Sequence, residues 1–154
     1  MEIRKATMED FDEVLKLKLE SKEEERKFNE ELEPVEKVKK HYEEYLKNDL
    51  KSKWRAIFVA IKDNQIVGSV TGKIYRTLYV CGFERCGFIS NVFVKKEFRK
   101  QSIAKKLVEA LTNWFKEMKA TKLSLELYEN NIPAINLYHK LGFKNYSIKM
   151  RKEI

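Results

Sequence analysis

The sequence predicts a single-domain α/β (α+β) fold: a mixed central sheet of about six to seven strands with about four helices on its faces. Three observations predict it. Residues 54–94 contain three β-rich stretches separated by short turn signals, the pattern of an antiparallel meander. Ile103, Ala104, Leu107, Val108, Leu111, Trp114, Phe115 and Met118 recur at a helical period of about 3.6 and form a wide apolar stripe. Leu123, Leu125 and Leu127 then alternate with Ser124, Glu126 and Tyr128. A strand, a helix and a strand in that order imply a right-handed parallel crossover. The full order is β-α-α-β-β-β-α-β-α-β.

The chain has 154 residues, 43% of them apolar, enough to bury a core of its own. Its net charge is +8, from 32 Lys and Arg against 24 Asp and Glu. The charges interleave, as in the run from Lys22 to Lys27, so they read as a solvated surface with a basic site for a phosphorylated ligand. A nucleic-acid face would need stacking aromatics among the cations, and the aromatics here fall mostly in apolar stripes. The longest apolar run, Ala56–Ile61, is far short of a membrane span. No apolar segment follows the first five residues, so a cytoplasmic protein with no signal peptide and no membrane partner is expected. Cys81 and Cys86 flank Gly82-Phe83-Glu84-Arg85, which reads as a hairpin loop, and free thiols are expected there. His41 and His139 stand alone, so no metal site is expected.

In chain order, Ile3 to Ala6 is a short strand. Thr7-Met8-Glu9-Asp10 resembles a capping box, and Phe11, Val14, Leu15 and Leu19 carry a first helix to about Ser21. Pro34 suits the first turn of a second helix, whose period Val35, Val38, Tyr42, Tyr45 and Leu46 keep to about Leu50. Trp54–Ile61 is a strand, Lys62–Gln65 a turn, and Gln65–Val80 a long strand with bulge positions at Gly68 and Gly72. Gly87–Val94 is apolar on both faces, Phe88, Val92 and Val94 on one and Ile89 and Phe93 on the other. It belongs in the middle of a covered sheet. The striped helix opens near Gln101, and the alternating strand follows. Asn131 is an N-cap with Pro133 in the first turn. Ala134, Leu137, Tyr138 and Leu141 mark a short helix that Gly142 stops. Phe143 and the alternating Tyr146, Ile148 and Met150 predict a last strand.

The chemistry centres on Gly87 to Leu111: a buried strand, a short basic turn, and the start of the striped helix. Such a turn offers an anion backbone N–H groups and positive charge. Its donors run from Gln101 to Lys105, with charge from Arg99, Lys100 and Lys105.

Arg99-Lys100-Gln101-Ser102-Ile103-Ala104 resembles the acyl-CoA-binding signature R/Q-x-x-G-x-G/A of the GNAT superfamily of N-acetyltransferases. Downstream, Asn131, Ala134, Tyr138, Gly142 and Phe143 are similar to that family's N-x-x-A-x-x-x-Y-x-x-x-G-F. The two motifs occur in order with a strand between them. The resemblance is specific from about Gly87 to Phe143, and the opening Ile3-Arg4-Lys5-Ala6-Thr7 fits it more loosely.

The resemblance implies an acetyl-CoA-dependent N-acetyltransferase acting on a primary amine of a small molecule, peptide or protein, as a monomer or homodimer. It implies that the central strand splays from its parallel neighbour and that coenzyme A enters the cleft. Backbone groups of Val92, Phe93 and Val94 would bond the pantetheine arm, and Lys100 to Ala104 the pyrophosphate. Asn131 would contact the cofactor or hold the cleft, Ala134 would belong to the cofactor site, and Tyr138 would donate a proton to the departing thiolate. The amine would attack the thioester directly, with a strand N–H such as that of Phe93 on the developing oxyanion.

The match departs from the family in three places. Ser102 stands where the signature has its first glycine; it either bonds a phosphate oxygen itself or weakens cofactor binding. No base is evident, Glu84 and Glu126 being the nearby carboxylates and water an equal alternative. The tail after Phe143 has room for one strand only, which implies an acceptor site that is either more open or completed by a second subunit. The acidic segment Ser21–Pro34 is either a solvated loop or a lip that attracts a cationic amine. A non-catalytic acyl-CoA-binding module on the same fold is the alternative reading.

Overall fold

The computed structural model describes residues 1–79 and 82–154, and side chains outside 77–83. The elements are β1 (Glu2–Lys5), α1 (Phe11–Glu25), α2 (Val35–Lys51), β2 (Arg55–Lys62), β3 (Gln65–Tyr79), β4 (Gly82–Val94), α3 (Ile103–Glu117), β5 (Lys122–Leu125) and α4 (Ile132–Lys140). The five strands form one sheet in the order β1-β2-β3-β4-β5. Every pairing is antiparallel except β4 with β5, the parallel pair joined through α3.

Two apolar layers cover the sheet. The α3 stripe packs on one face, where Ile103, Leu107, Leu111 and Phe115 are almost fully buried together with Val67, Val70 and Ile89, and Tyr138 of α4 joins them. Gly72 lets α3 approach closely: a Cβ there would lie 2.6 Å from Phe115 Cζ. On the other face Val14 and Leu17 of α1 and Leu46 of α2 pack on Ile57, Val59 and Phe93. The capping box forms at the entry to α1. Asp10 accepts from the Thr7 N–H at 2.8 Å, the Thr7 hydroxyl accepts from the Glu9 N–H, and Arg4 holds both Asp10 oxygens at 2.7 and 2.8 Å.

The structure corrects the sequence reading in three respects. The last strand is absent, so the sheet has five strands among the described residues. Tyr146, Ile148 and Met150 are 95%, 89% and 91% exposed. Alternation sets which side chains share a face, but a strand also needs a ladder partner. The tail is held instead against the α1–α2 connection, where Arg151 meets Glu31 at 2.6 Å. The Cys81–Cys86 loop is shorter than expected: the β3–β4 ladder continues to Tyr79 opposite Gly82. Cys86 sits within β4 as a free, buried thiol, and Cys81 lies outside the described residues.

The third correction matters most for the site. Thr71 pairs with Asn91 and Gly72 with Ile89, so Ser90 is an extra residue bulged out of β4. A bulge shifts the alternation by one. Ile89, and not Phe88, therefore shares the α3 face with Val92 and Val94, while Phe93 faces α1 and α2.

Candidate active site

The site begins where β4 and β5 part. Their ladder runs from Cys86–Lys122 to Ile89–Leu125 and stops. β4 continues to Val94, whereas the chain after Leu125 leaves the sheet for the loop before α4. Beyond the Ser90 bulge, the β5-facing edge of β4 is therefore without a neighbouring strand among the described residues, and backbone groups of Val92 and Val94 line one wall of a wedge. Of the strand residues singled out from sequence, Val92 and Val94 turn their backbone N–H groups to this edge, whereas Phe93 turns its own toward Ser69 of β3, as the Lys95 N–H does toward Val67.

At the end of β4 the chain turns through Lys96–Phe98, a short 3-10 segment, into α3. Lys100 (φ 61°) and Ser102 (φ 59°) are both left-handed. Left-handed residues in a tight turn converge backbone N–H groups into an anion-binding concavity. Ser102 adopts the conformation that glycine takes most easily, and its side chain makes no cap hydrogen bond to α3. The first helical N–H groups, those of Ile103, Ala104 and Lys105, have no intrahelical acceptor. They point out of the positive end of the α3 dipole.

The side chains of the turn divide their duties. Ile103 is buried at the root of α3, so it offers only its backbone. Lys100 is exposed, and Lys105 is 3.7 Å from Glu109 on the exposed helix face. Gln101 accepts a hydrogen bond from Lys62 at 2.8 Å. Arg99 is a brace: its Nε donates to the Val94 carbonyl at 2.8 Å, Nη2 meets Glu24 at 2.7 Å, and its guanidinium lies over the Phe93 ring. It ties the turn to both β4 and α1.

Helix α4 brings in the second group. Asn131 Oδ1 accepts from the Ala134 N–H at 3.3 Å, the N-cap its position implied. At the other end the Phe143 N–H bonds the Tyr138 carbonyl and the Gly142 N–H the His139 carbonyl, with Gly142 at φ 88°. That is a Schellman stop, and the left-handed residue is the glycine. Tyr138 is buried in the α3-side core, edge-on to Phe143 with ring centroids 5.4 Å apart. Burial pushes its hydroxyl up to about 12, so it is a proton donor at neutral pH.

The opposite rim was less legible. Asn29, in the α1–α2 connection, donates to the Tyr128 hydroxyl at 3.2 Å, and Asn130 donates to the Phe28 carbonyl at 3.3 Å. These bonds tie the α1–α2 connection to the loop after β5 and close one side of the wedge. Several carboxylates of the acidic segment are spent on cations: Glu23 on Arg26, Glu24 on Arg99, Glu31 on Arg151 and Glu33 on Lys37. Glu84 is spent too. It hydrogen-bonds Thr121 and meets Lys122 at 3.0 Å, and both hold it below the usual carboxylate range. Glu126 is exposed.

With this geometry in place, residues 17–143 match the model of the acetyltransferase (GNAT) family. The chain belongs to that family of acyltransferases. Among its relatives, an N-alpha-acetyltransferase of Saccharolobus solfataricus is 30% identical over 151 residues, covering 95% of this chain and 81% of that protein. N-alpha-acetyltransferase 30 of Schizosaccharomyces pombe is 33% identical over 91 residues, covering 58% of this chain and 57% of that protein. The fold is shared with a Bacillus halodurans protein at a TM-score of 0.80 and 21% identity, covering 100% of both chains. It is shared as well with an aminoglycoside N-acetyltransferase solved in complex with CoA, at a TM-score of 0.77 and 18% identity, covering 99% and 95%.

Proposed function

We propose that this protein transfers an acetyl group from acetyl-CoA to a primary amine, and that the amine is the α-amine of a peptide or amino acid. The observation that carries the reading is the junction of two features: a strand edge freed by the parting of β4 from β5, and the uncapped N-terminus of α3 at the end of that edge. One can bond a flexible arm carrying amides; the other can bond a pyrophosphate. The α-amine is supported by the N-alpha-acetyltransferases among the relatives.

Acetyl-CoA supplies a thioester, and attack of the amine forms the C–N bond as the C–S bond breaks. The N–H groups of Ile103, Ala104 and Lys105 hold the pyrophosphate, and the edge-facing N–H groups of Val92 and Val94 orient the arm. The Lys95 N–H bonds the Val67 carbonyl, so alternation turns the Phe93 N–H toward Ser69 of β3 and leaves the Val92 N–H on the free edge as the donor available to negative charge on the carbonyl oxygen. Tyr138 donates a hydrogen bond to the sulfur as negative charge develops there. With its hydroxyl near 12, well above an ordinary thiol at about 8.5, it stabilises the thiolate without surrendering its proton. Glu84 is paired and Glu126 is turned to solvent, so the amine proton leaves to water or to Glu25, which lines a cavity beside Asn91.

Incubation of the protein with acetyl-CoA and short peptides tests the reading. It predicts thiol release matched by one acetyl group gained at the peptide N-terminus. The left-handed Ser102 favours a second reading, a non-catalytic acyl-CoA-binding module. That reading predicts CoA binding with no thiol release.

A further inference from the structure

A cavity of about 280 Å³ lies on the α1/α2 face, beneath the Ser90 bulge. Lys18, in the third turn of α1, reaches its floor and is 9% exposed. Its Nζ donates to the Thr71 hydroxyl at 2.7 Å, and that hydroxyl is itself buried. An ammonium carries three N–H donors, and a threonine oxygen answers one. The carboxylate whose field acts on Lys18 is Asp49, and Asp49 is already held by Arg55 at 2.5 Å. A buried cation is stable when paired, and this one has a neutral partner and a shared anion.

Asn91 stands directly across the ladder from Thr71. Its Nδ2 donates to Ser21 at 2.9 Å, while its Oδ1 is buried without a partner. Rotation of the amide would let Oδ1 accept from the Ser21 hydroxyl and turn the NH₂ toward the unpartnered side. Either way one amide group is left for a ligand. Lys22, Arg55 and Glu25 complete the charged lining, with Tyr42 on one wall.

The acceptor implied by these groups is an oxygen-rich anion of modest size. Lys18 and the Asn91 amide offer donors, and Lys22 and Arg55 add positive charge. Asn91 also begins the freed stretch of β4, one residue before Val92 and its edge-facing N–H, or about 3 Å along the strand. An amine poised at that edge would set a neighbouring substituent, the length of a short side chain away, into this cavity.

We propose that this cavity binds a carboxylate of the acceptor, held by Lys18 and Asn91 close to the amine that is acetylated. The inference rests on the function proposed above and adds the acceptor's chemistry to it. Two sources carry that group: the α-carboxylate of a free amino acid, and the side chain of an N-terminal Asp or Glu in a peptide.

The test is steady-state kinetics of the full chain at saturating acetyl-CoA. The acceptors are peptides identical except for an N-terminal Asp, Asn or Ala, alongside free aspartate, alanine and alaninamide. A charge-assisted pair predicts a KM about ten- to a hundredfold lower for the carboxylate-bearing member of a matched pair. Asp against Asn peptides reads the side-chain source, and alanine against alaninamide reads the α-carboxylate. Lys18→Met should remove the preference by raising that KM, and Asn91→Asp should reverse it by repulsion. CoA affinity measured by calorimetry should stay within twofold in both variants, which also shows that they fold. Equal KM across both matched pairs, or a preference that survives Lys18→Met, overturns the carboxylate site and leaves the acetyltransferase reading standing. No acetylation of any acceptor defeats that underlying reading instead.

Discussion

Ser102→Gly isolates the departure of the anion-binding turn from its family signature. Ser102 sits at φ 59°, ψ 16°, where a Cβ crowds the following carbonyl at a cost of roughly 1–2 kcal/mol. Glycine removes that cost but adds about 0.4–1 kcal/mol of backbone freedom to the unfolded chain. No cap hydrogen bond is lost, because the serine side chain makes none to α3. The balance is a stabilisation of about 0.5–1 kcal/mol, or roughly 1–4 °C in Tm for a domain of this size. Urea unfolding with the slope unchanged measures it. Calorimetric titration with desulfo-CoA then separates strain from contact. If the hydroxyl bonds a phosphate oxygen, Ser102→Gly and Ser102→Ala both weaken binding by about five- to tenfold. If it does not, Ser102→Gly binds as well as the parent or better. Destabilisation by Ser102→Gly would refute the reasoning, since it requires that residue 102 is not strained in the folded protein.

Four further outcomes follow from the same structure. Tyr138→Phe should lower kcat about ten- to a hundredfold, the worth of a charge-assisted hydrogen bond to the leaving sulfur, with acetyl-CoA affinity unchanged by calorimetry. Because burial holds the hydroxyl near 12, the parent enzyme's kcat should show no alkaline loss from this group below about pH 10. Burial brings Lys18 down from 10.5 to about 8, so between those values the unfolded chain holds the proton that the folded one has released. Stability should therefore rise from pH 8 to pH 10 by about 2–3 kcal/mol, and Lys18→Met should flatten the rise. Above pH 10 the raised Tyr138 works in the opposite direction, its proton being lost first from the unfolded chain. Gly72→Ala should cost about 1–3 kcal/mol by overpacking against Phe115 and Leu111; a neutral result in urea unfolding would contradict the α3 packing.

What the sequence disclosed was what local pattern controls. The α3 stripe, the Thr7–Asp10 capping box, the Asn131 cap and the Gly142 stop all rest on neighbours within a few residues, and each stands where its pattern put it. Strand parity failed at Ser90, because a bulge adds one residue and no composition signal at Ser90-Asn91 announces it. The glycines flagged for bulges, Gly68 and Gly72, lie beside register shifts, but the extra residues are Val67 on β3 and Ser90 on β4. Gly72 serves α3 packing instead. The tail shows the reverse error, an alternation with no partner strand to use it. Contacts that shape the site across long separations were beyond local pattern altogether. Lys18 meets Thr71 53 residues away and Arg99 meets Glu24 75 residues away, and neither pair carries a spacing that could reveal it. Arg99 read from sequence as charge for a phosphate; in the fold it spends that charge on the Val94 carbonyl and Glu24.

The central claim is that the freed edge of β4 and the open end of α3 make a working acetyl-transfer site. The most direct measurement follows thiol release from acetyl-CoA together with the intact mass of an α-amine acceptor, with the purified full chain and with its Tyr138→Phe variant. The account predicts equal amounts of free thiol and singly acetylated acceptor, at a rate that falls in the variant while CoA binding holds. Tight CoA binding with neither thiol release nor acetylated acceptor, across peptides and amino acids, would contradict it and leave a binding module in its place.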